Sequence, residues 1–524
     1  MQTILIAALA LVQAAETPHQ VRLTIAPGTQ GARFIVDYEI GTEGLDQLRL
    51  RDMTSHDPQC PQTHYELLDI ENAHPLSLTS DDPRIVATLA PLSEAPIRIR
   101  YAVSQTDHAL TPSVPCNWLI AREEGLYLDG RSLFLAPRPV DAEGRPYRLG
   151  ETRLSIDFPA SQSAPSVPSA DSVAPNLWRQ ERFDALLFGH ILSLETQHQG
   201  SGLTVHVLGD ALSSPRALAL EQALKSASGF FETWLHVPAP PQYHVILLSA
   251  DQGRFGEYIG EARPDTQTLI LTPGVSDAAL ERFTLHELAH HWDLSRFRDF
   301  PAEDDLTWLR EGYVEFLAHL ALVETGRANQ DLLITRANRA LANRATGWAP
   351  EILPDDEGYL VWFSLFERSA YRETFFSFVS RLTARSNAPL TADEFWALAL
   401  EYGLTEPGIE PGQPPNCVHA DGRVYVQTVR SWPAYADGLE FDPEVHGLLL
   451  SVESDSPAAL SGLQAGEQLL RIVSGGYGDI QQPLTLEVAG NPVRTVSFMP
   501  HDASYTVSFA QYVTDTNRAS SLCD

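Results

Sequence analysis

Lysine is almost missing from this chain: Lys225 is the only one in 524 residues, and 68 aspartates and glutamates outweigh 36 basic residues to a formal net charge of −32. Nucleic-acid binding draws its affinity from cations that displace counterions around phosphate, so this composition excludes a nucleic-acid partner. Long apolar runs are missing too. The apolar stretch from Ile4 to Val12 is cut off by Glu16, Thr17 and His19, too short to span a bilayer, and no other stretch approaches the 18 apolar residues a transmembrane helix needs. Ile4–Val12 followed by Ala14 and Ala15 has the pattern of a signal peptide, predicted to end at residue 15, so the protein is expected to be exported to the periplasm or secreted.

Cysteine is scarce as well. Cys60, Cys116, Cys417 and Cys523 form no closely spaced pair, which excludes a cysteine zinc site. In an oxidising compartment they can make two disulfides, and pairing within the proposed domains favours Cys60 with Cys116 and Cys417 with Cys523. The remaining composition, 44% hydrophobic and 20% charged, is that of globular domains, and the length calls for several of them.

From Val21 to Phe158 apolar residues alternate with period two, as in Phe34, Val36, Tyr38 and in Ile97, Ile99, Tyr101, Val103, which predicts an antiparallel β-sandwich over residues 16–158. Residues 159–176 are Pro-, Ser- and Ala-rich and read as a linker. Mixed strands and then helical periodicity fill 177–408, and after a Pro/Gly-rich break a β-rich unit occupies 416–513. The expected fold class is a multidomain α+β protein.

Chemistry concentrates in one stretch. His286-Glu287-Leu288-Ala289-His290 is an H-E-x-x-H motif in a predicted helix capped by Ser276. The i, i+4 spacing sets both imidazoles on one helix face, where they can hold Zn2+, and Glu287 is placed to take a proton from a metal-bound water. A hydrolytic zinc site needs a third protein ligand and one open position. Glu311, in Trp308-Leu309-Arg310-Glu311-Gly312-Tyr313, lies far enough downstream for a helix, a turn and a second helix. Glu315 and His319 are the alternatives on the same helix.

The run from His286 through Trp292 to Arg296 and Arg298, together with Trp308-x-x-Glu311-Gly312, resembles the signature of the glycyl aminopeptidase family of zinc metallopeptidases (M61). That resemblance implies an N-terminal β domain, a thermolysin-like zinc peptidase domain and a C-terminal PDZ domain. It also implies His286, His290 and Glu311 as metal ligands, Glu287 as the catalytic base, and an aminopeptidase favouring small N-terminal residues. Asp293 stands where the family usually has Asn, and the family's Gly-Gly-Leu-Glu-His motif ahead of the zinc helix is absent. Glu257 and Glu261 are what this chain offers there to hold a substrate ammonium. The family's oxyanion-stabilising Tyr has no clean match: Asp355 stands in its register, and Tyr359 is the nearest tyrosine. Arg296 and Arg298 read as ion-pair partners.

In the C-terminal unit, Gly438-Leu439-Glu440-Phe441 and Ser456-Pro457-Ala458-Ala459 through Gly466-Glu467 resemble the carboxylate loop and a conserved element of bacterial PDZ domains. The expected partner is a peptide or an unfolded protein. Two alternatives remain open at this stage: a zinc endopeptidase, or a decayed peptidase serving as a peptide-binding scaffold. The oligomeric state is not legible.

Overall fold

Strict alternation of buried and half-buried residues along Phe34–Ile40 shows how the first part of the chain builds its layers: every second side chain enters a core and its neighbours face outward. The computed structural model describes residues 19–25, 34–52, 54, 60–77, 84–106, 110–112, 116, 118–121, 125–142, 145, 152–157, 185–189, 191–198, 201–208, 211–236, 238, 242–262, 266–292, 307–346, 353–369, 372–383, 391–405, 415–420, 423–442, 445–476 and 479–514. The expected signal peptide and linker lie outside these residues. The chain divides into two compact units, one of residues 1–108 and 114–191, the other of 109–113 and 192–524.

The first unit carries a five-stranded sheet, ordered Thr152–Asp157, His19–Ile25, Phe34–Ile40, Ile97–Gln105 and Thr63–Glu71. A four-stranded sheet is ordered Ala136–Val140, Gln47–Arg51, Ile85–Pro91 and Ala73–Ser77. Phe34, Val36, Ile99 and Tyr101 from one sheet and Leu48, Leu50 and Leu89 from the other share a single core. The Tyr38 hydroxyl donates to the Leu135 carbonyl at 2.8 Å, so this buried phenol is satisfied. Cys60 and Cys116 form a disulfide. A further strand, Ala185–Gly189, pairs antiparallel with Gly125–Asp129 and carries this unit past the expected linker.

The second unit opens with a five-stranded sheet ordered Ile191–His198, Ser201–Leu208, Gln242–Ser249, Thr266–Leu271 and Tyr258–Ala262. Its three central strands run parallel, and the long helix Ser214–Leu235 makes the crossover between the first two of them. Tyr258–Ala262 pairs antiparallel with Thr266–Leu271 and forms an edge. Helices follow at Asp277–Ala289 (the motif helix), Thr307–Glu324 (the carboxylate helix), Asp331–Thr346, Leu353–Arg368, Arg372–Thr383 and Ala392–Glu401.

The carboxylate helix and Leu353–Arg368 approach so closely that a Cβ on Gly312 would meet the backbone of Gly358 at 2.1–2.2 Å. Gly312 therefore sets that crossing, and the Trp362 indole N–H donates to the Leu309 carbonyl beside it at 2.8 Å. The chain ends in strands: a ribbon of Cys417–Ala420, Arg423–Tyr435 and His501–Thr514, and two small sheets between its arms. Cys417 is disulfide-bonded, while Cys523 lies outside the described residues. Among the described residues no helix is long and apolar enough to cross a membrane. The architecture is a mixed α/β multidomain one.

Candidate metal centre

The motif helix starts where the Ala279 amide donates to the Ser276 hydroxyl at 3.1 Å, and Asp277 in its first turn complements the helix dipole. Leu280, Leu285, Leu288 and Ala289 sit in the main core and so fix the helix's rotation. His290 is the C-cap and keeps helical dihedrals (φ −60°, ψ −22°), which leaves it one turn from His286.

Glu311 arrives from the carboxylate helix. Its Oε2 lies 3.6 Å from His286 Nε2 and 3.3 Å from His290 Nε2, and ligand atoms of all three residues fall within 4.8 Å of one another. Glu311 is thus placed with the histidines, while its alternatives on the same helix are engaged elsewhere. His319 Nδ1 lies 2.8 Å from the Glu315 carbonyl oxygen, and its ring packs on Tyr359. Burial lowers its pKa to about 3.

Glu315 stands behind His286. Arg282 donates to both of its oxygens at 3.1 Å and Arg336 donates to Oε1 at 2.8 Å, while His286 Nδ1 lies 3.1 Å from Oε2. A carboxylate pinned by two guanidiniums can only accept, so it fixes the proton on Nδ1 and turns Nε2 toward Glu311. Arg336 also pairs with Asp356 at 2.6 Å, and the Asn343 amide donates to Asp356 at 2.8 Å. Burial works against the charge on Glu315, but Arg282 and Arg336 overcome it and hold the carboxyl well below its usual range.

The electrostatics favour a cation between the three residues. Burial pushes against a charged His286, yet contacts with Glu311 and Glu315 raise its pKa to about 10. Glu311 is held far below its ordinary value, its burial outweighed by both histidines. Burial pushes the Glu287 carboxyl up, against the pull of His286 and His290. Glu287 is 5% exposed, and its backbone carbonyl accepts from the Tyr243 hydroxyl at 3.4 Å.

Tyr359 is not brought to this cluster. Its ring is fully buried beneath the Arg336 guanidinium, and its hydroxyl donates to the Leu333 carbonyl at 3.0 Å. One turn earlier on the same helix, burial pushes the Asp355 carboxyl up to about 6 within the field of His286 and Glu311. Ahead of the motif helix, Glu257 caps its own turn by accepting the Arg254 amide at 2.7 Å, while the charge of Glu261 bears on Glu287. Asp293, Arg296 and Arg298 lie outside the described residues.

Sequence reasoning named His286, His290 and Glu311, whose ligand atoms the fold brings within 4.8 Å of one another, and considered Glu315 as a ligand. It missed the partnership of Glu315 with Arg282 and Arg336. The available signal was spacing: Glu315 is one helical turn past Glu311, and Arg282 one turn before His286.

No protein-family model and no curated protein matches the sequence. Among solved structures, the chain is similar to the crystal structure of an aminopeptidase N family protein from Idiomarina loihiensis, at 13% identity over 95% of this chain and 98% of that one, with a TM-score of 0.51. At that identity the likeness shows a shared fold and nothing more.

Proposed function

We propose that the protein is a zinc-dependent peptidase in which His286, His290 and Glu311 hold the metal and Glu287 moves the proton. The observation that carries this reading is the fit of the three donors. Bonds of about 2.0–2.2 Å in a tetrahedral zinc site put neighbouring ligand atoms about 3.2–3.6 Å apart. Glu311 Oε2 lies 3.6 and 3.3 Å from the two imidazole nitrogens. Three protein ligands leave one position open, the arrangement of a catalytic site rather than a structural one. Bound Zn2+ supplies a lowered pKa for water and polarisation of a scissile carbonyl.

The chain's own residues do the rest. Glu287, next to the first ligand and with its pKa raised by burial, accepts a proton from the attacking water and delivers it to the leaving amine. The edge strand Tyr258–Ala262 offers main-chain groups along which an extended peptide can lie. Within this reading the enzyme is an aminopeptidase for small N-terminal residues of the glycyl aminopeptidase kind, exported, with a PDZ-like unit at 416–513. Glu261, on the edge strand Tyr258–Ala262 and with its charge bearing on Glu287, is the residue that meets the substrate ammonium. Tyr359 takes no part, since its hydroxyl is spent on Leu333.

Glu287→Gln is expected to keep its zinc and lose about 100- to 10,000-fold in turnover. Metal analysis beside a peptide-cleavage assay reads both, and undiminished turnover in that variant would remove Glu287 from the mechanism. Acetylating the N-terminus of a good substrate is expected to abolish cleavage. Equal cleavage of free and acetylated peptides would make the enzyme an endopeptidase.

A further inference from the structure

The C-terminal strands are built around a residue that belongs to the catalytic sheet's own loop. Phe255, in the turn that leads into the edge strand Tyr258–Ala262, is 1% exposed and sits in one core with Leu449, Leu469, Ile472 and Leu484. Its ring stacks on Phe441 with centroids 6.2 Å apart and planes 14° from parallel. Two glycines are shaped to it. A Cβ on Gly447 would stand 2.9 Å from the Phe255 ring and one on Gly274 only 2.2 Å away, and both glycines have positive φ.

The polar half of the contact closes the loop that resembles a PDZ carboxylate receptor. In such a loop the main-chain amides receive a peptide's terminal carboxylate. Here the Leu439 amide already donates to Asp437 Oδ1 at 3.0 Å. The other oxygen of Asp437 accepts from Arg254 and from the Tyr435 hydroxyl, each at 2.8 Å. Arg254 also lies over the Phe441 ring at 5.7 Å. An internal carboxylate thus takes the Leu439 amide, and an internal phenyl ring covers Phe441. Among the described residues from 415 to 514 the one helix is the single turn Pro457–Leu460, so no long helix walls a groove beside Leu439–Phe441.

The docked turn is tied to the metal centre. The Gly256 amide donates to the Pro273 carbonyl at 2.9 Å, and the Ile472 amide donates to the Gly274 carbonyl at 3.0 Å, just ahead of the Ser276 cap. Three residues past Phe255, the Tyr258 hydroxyl accepts from Arg282 at 2.6 Å, and Arg282 holds Glu315 behind His286.

We propose that the C-terminal unit is an internal clamp on the cleft: it takes Phe255 as its own ligand, closes its carboxylate loop with Asp437, and fixes the edge strand instead of collecting free peptides. The consequence for substrate binding rests on the peptidase reading above; the docking itself does not. Phe255 and Arg254 are positioning residues.

The test compares full-length wild type, Phe255→Ala, Phe255→Leu and Arg254→Gln by hydrogen–deuterium exchange, zinc content, kinetics and binding of a fluorescent pentapeptide with a free, hydrophobic C-terminus. In Phe255→Ala the amides of 258–262 are expected to exchange at least about tenfold faster. KM should rise more than kcat falls, with zinc content unchanged. Phe255→Leu should restore wild-type exchange, and Arg254→Gln should give a smaller change of the same sign, which keeps the test alive if the alanine variant does not fold. Wild type should not bind the pentapeptide at millimolar concentration. Unchanged exchange over 258–262 in both Phe255→Ala and Arg254→Gln, or tight pentapeptide binding by wild type, would overturn the clamp. Because exchange is read without turnover, a protein with no peptidase activity but a loosened edge strand would reject the enzyme reading and leave the clamp standing.

Discussion

Two supports converge on the same cleft, and they are made of opposite materials. Behind His286 the support is ionic: Glu315, Arg282, Arg336, Asp356 and Asn343 form a buried chain in which each charge answers another. Beside the edge strand it is apolar: Phe255 fills a core of leucines, isoleucine and phenylalanine, with one ion pair at its rim. A buried charge is tolerable only while its partners are present, so the ionic support is all-or-none and fixes direction, here the Nδ1 proton of His286. An apolar contact has no such orientation. It holds a strand in place and weakens in proportion to the volume removed.

That contrast is broken most severely at Glu315. Glu315→Gln removes the charge that Arg282 and Arg336 share, and loss of one partner from a buried ion-pair network costs about 3–5 kcal/mol. Zinc affinity should fall about 10- to 100-fold as His286 loses its oriented partner. Denaturant unfolding and competition with a chelator measure the two effects. A variant with wild-type zinc affinity would show that Glu315 only stabilises the fold.

Phe255→Ala is the matching cut on the apolar side. It should cost a comparable amount of local stability, about 3–5 kcal/mol for a buried phenylalanine, yet leave zinc affinity where it was. Equal losses of zinc affinity in the Glu315 and Phe255 variants would erase the distinction between the two supports.

Much of this cleft was legible in the chain. H-E-x-x-H at helical spacing and a downstream Glu-Gly needed only local periodicity, and the alternation from Val21 to Phe158 foretold the strands of the first unit. The ionic chain was legible only in part: spacing sets Arg282 and Glu315 one turn from His286 and Glu311, but Arg336 lies on a third helix and only packing makes the three neighbours. Tyr359 was chosen as the tyrosine nearest a missing motif. Tyr359 is one full turn past Asp355, on nearly the same helix face but about 6 Å further along the axis, where its hydroxyl reaches the Leu333 carbonyl instead. Phe255 carries no local mark of its role, since a distant stretch supplies its core.

A smaller effect marks a third kind of burial. His206 and His244 lie 3.1 Å apart on adjacent strands, and burial lowers their pKa values to about 3 and about 4. Their unfolded values lie near 6.5, so between about pH 6.5 and 4 the unfolded chain binds more protons than the folded one. Stability is therefore present above about pH 6.5 and is lost as pH falls through that window. His206→Gln combined with His244→Asn should flatten the decline of melting temperature with falling pH. An unchanged slope would remove this pair from the acid sensitivity.

Everything proposed for this centre depends on His286, His290 and Glu311 making one catalytic zinc site. Metal analysis of the purified full-length protein, with Glu311→Gln prepared in parallel and checked for folding by circular dichroism, tests it directly. The prediction is about one zinc per chain in wild type and little or none in a folded Glu311→Gln. Wild-type protein that takes up no zinc, or a Glu311→Gln variant that holds it as firmly as wild type, would contradict the claim.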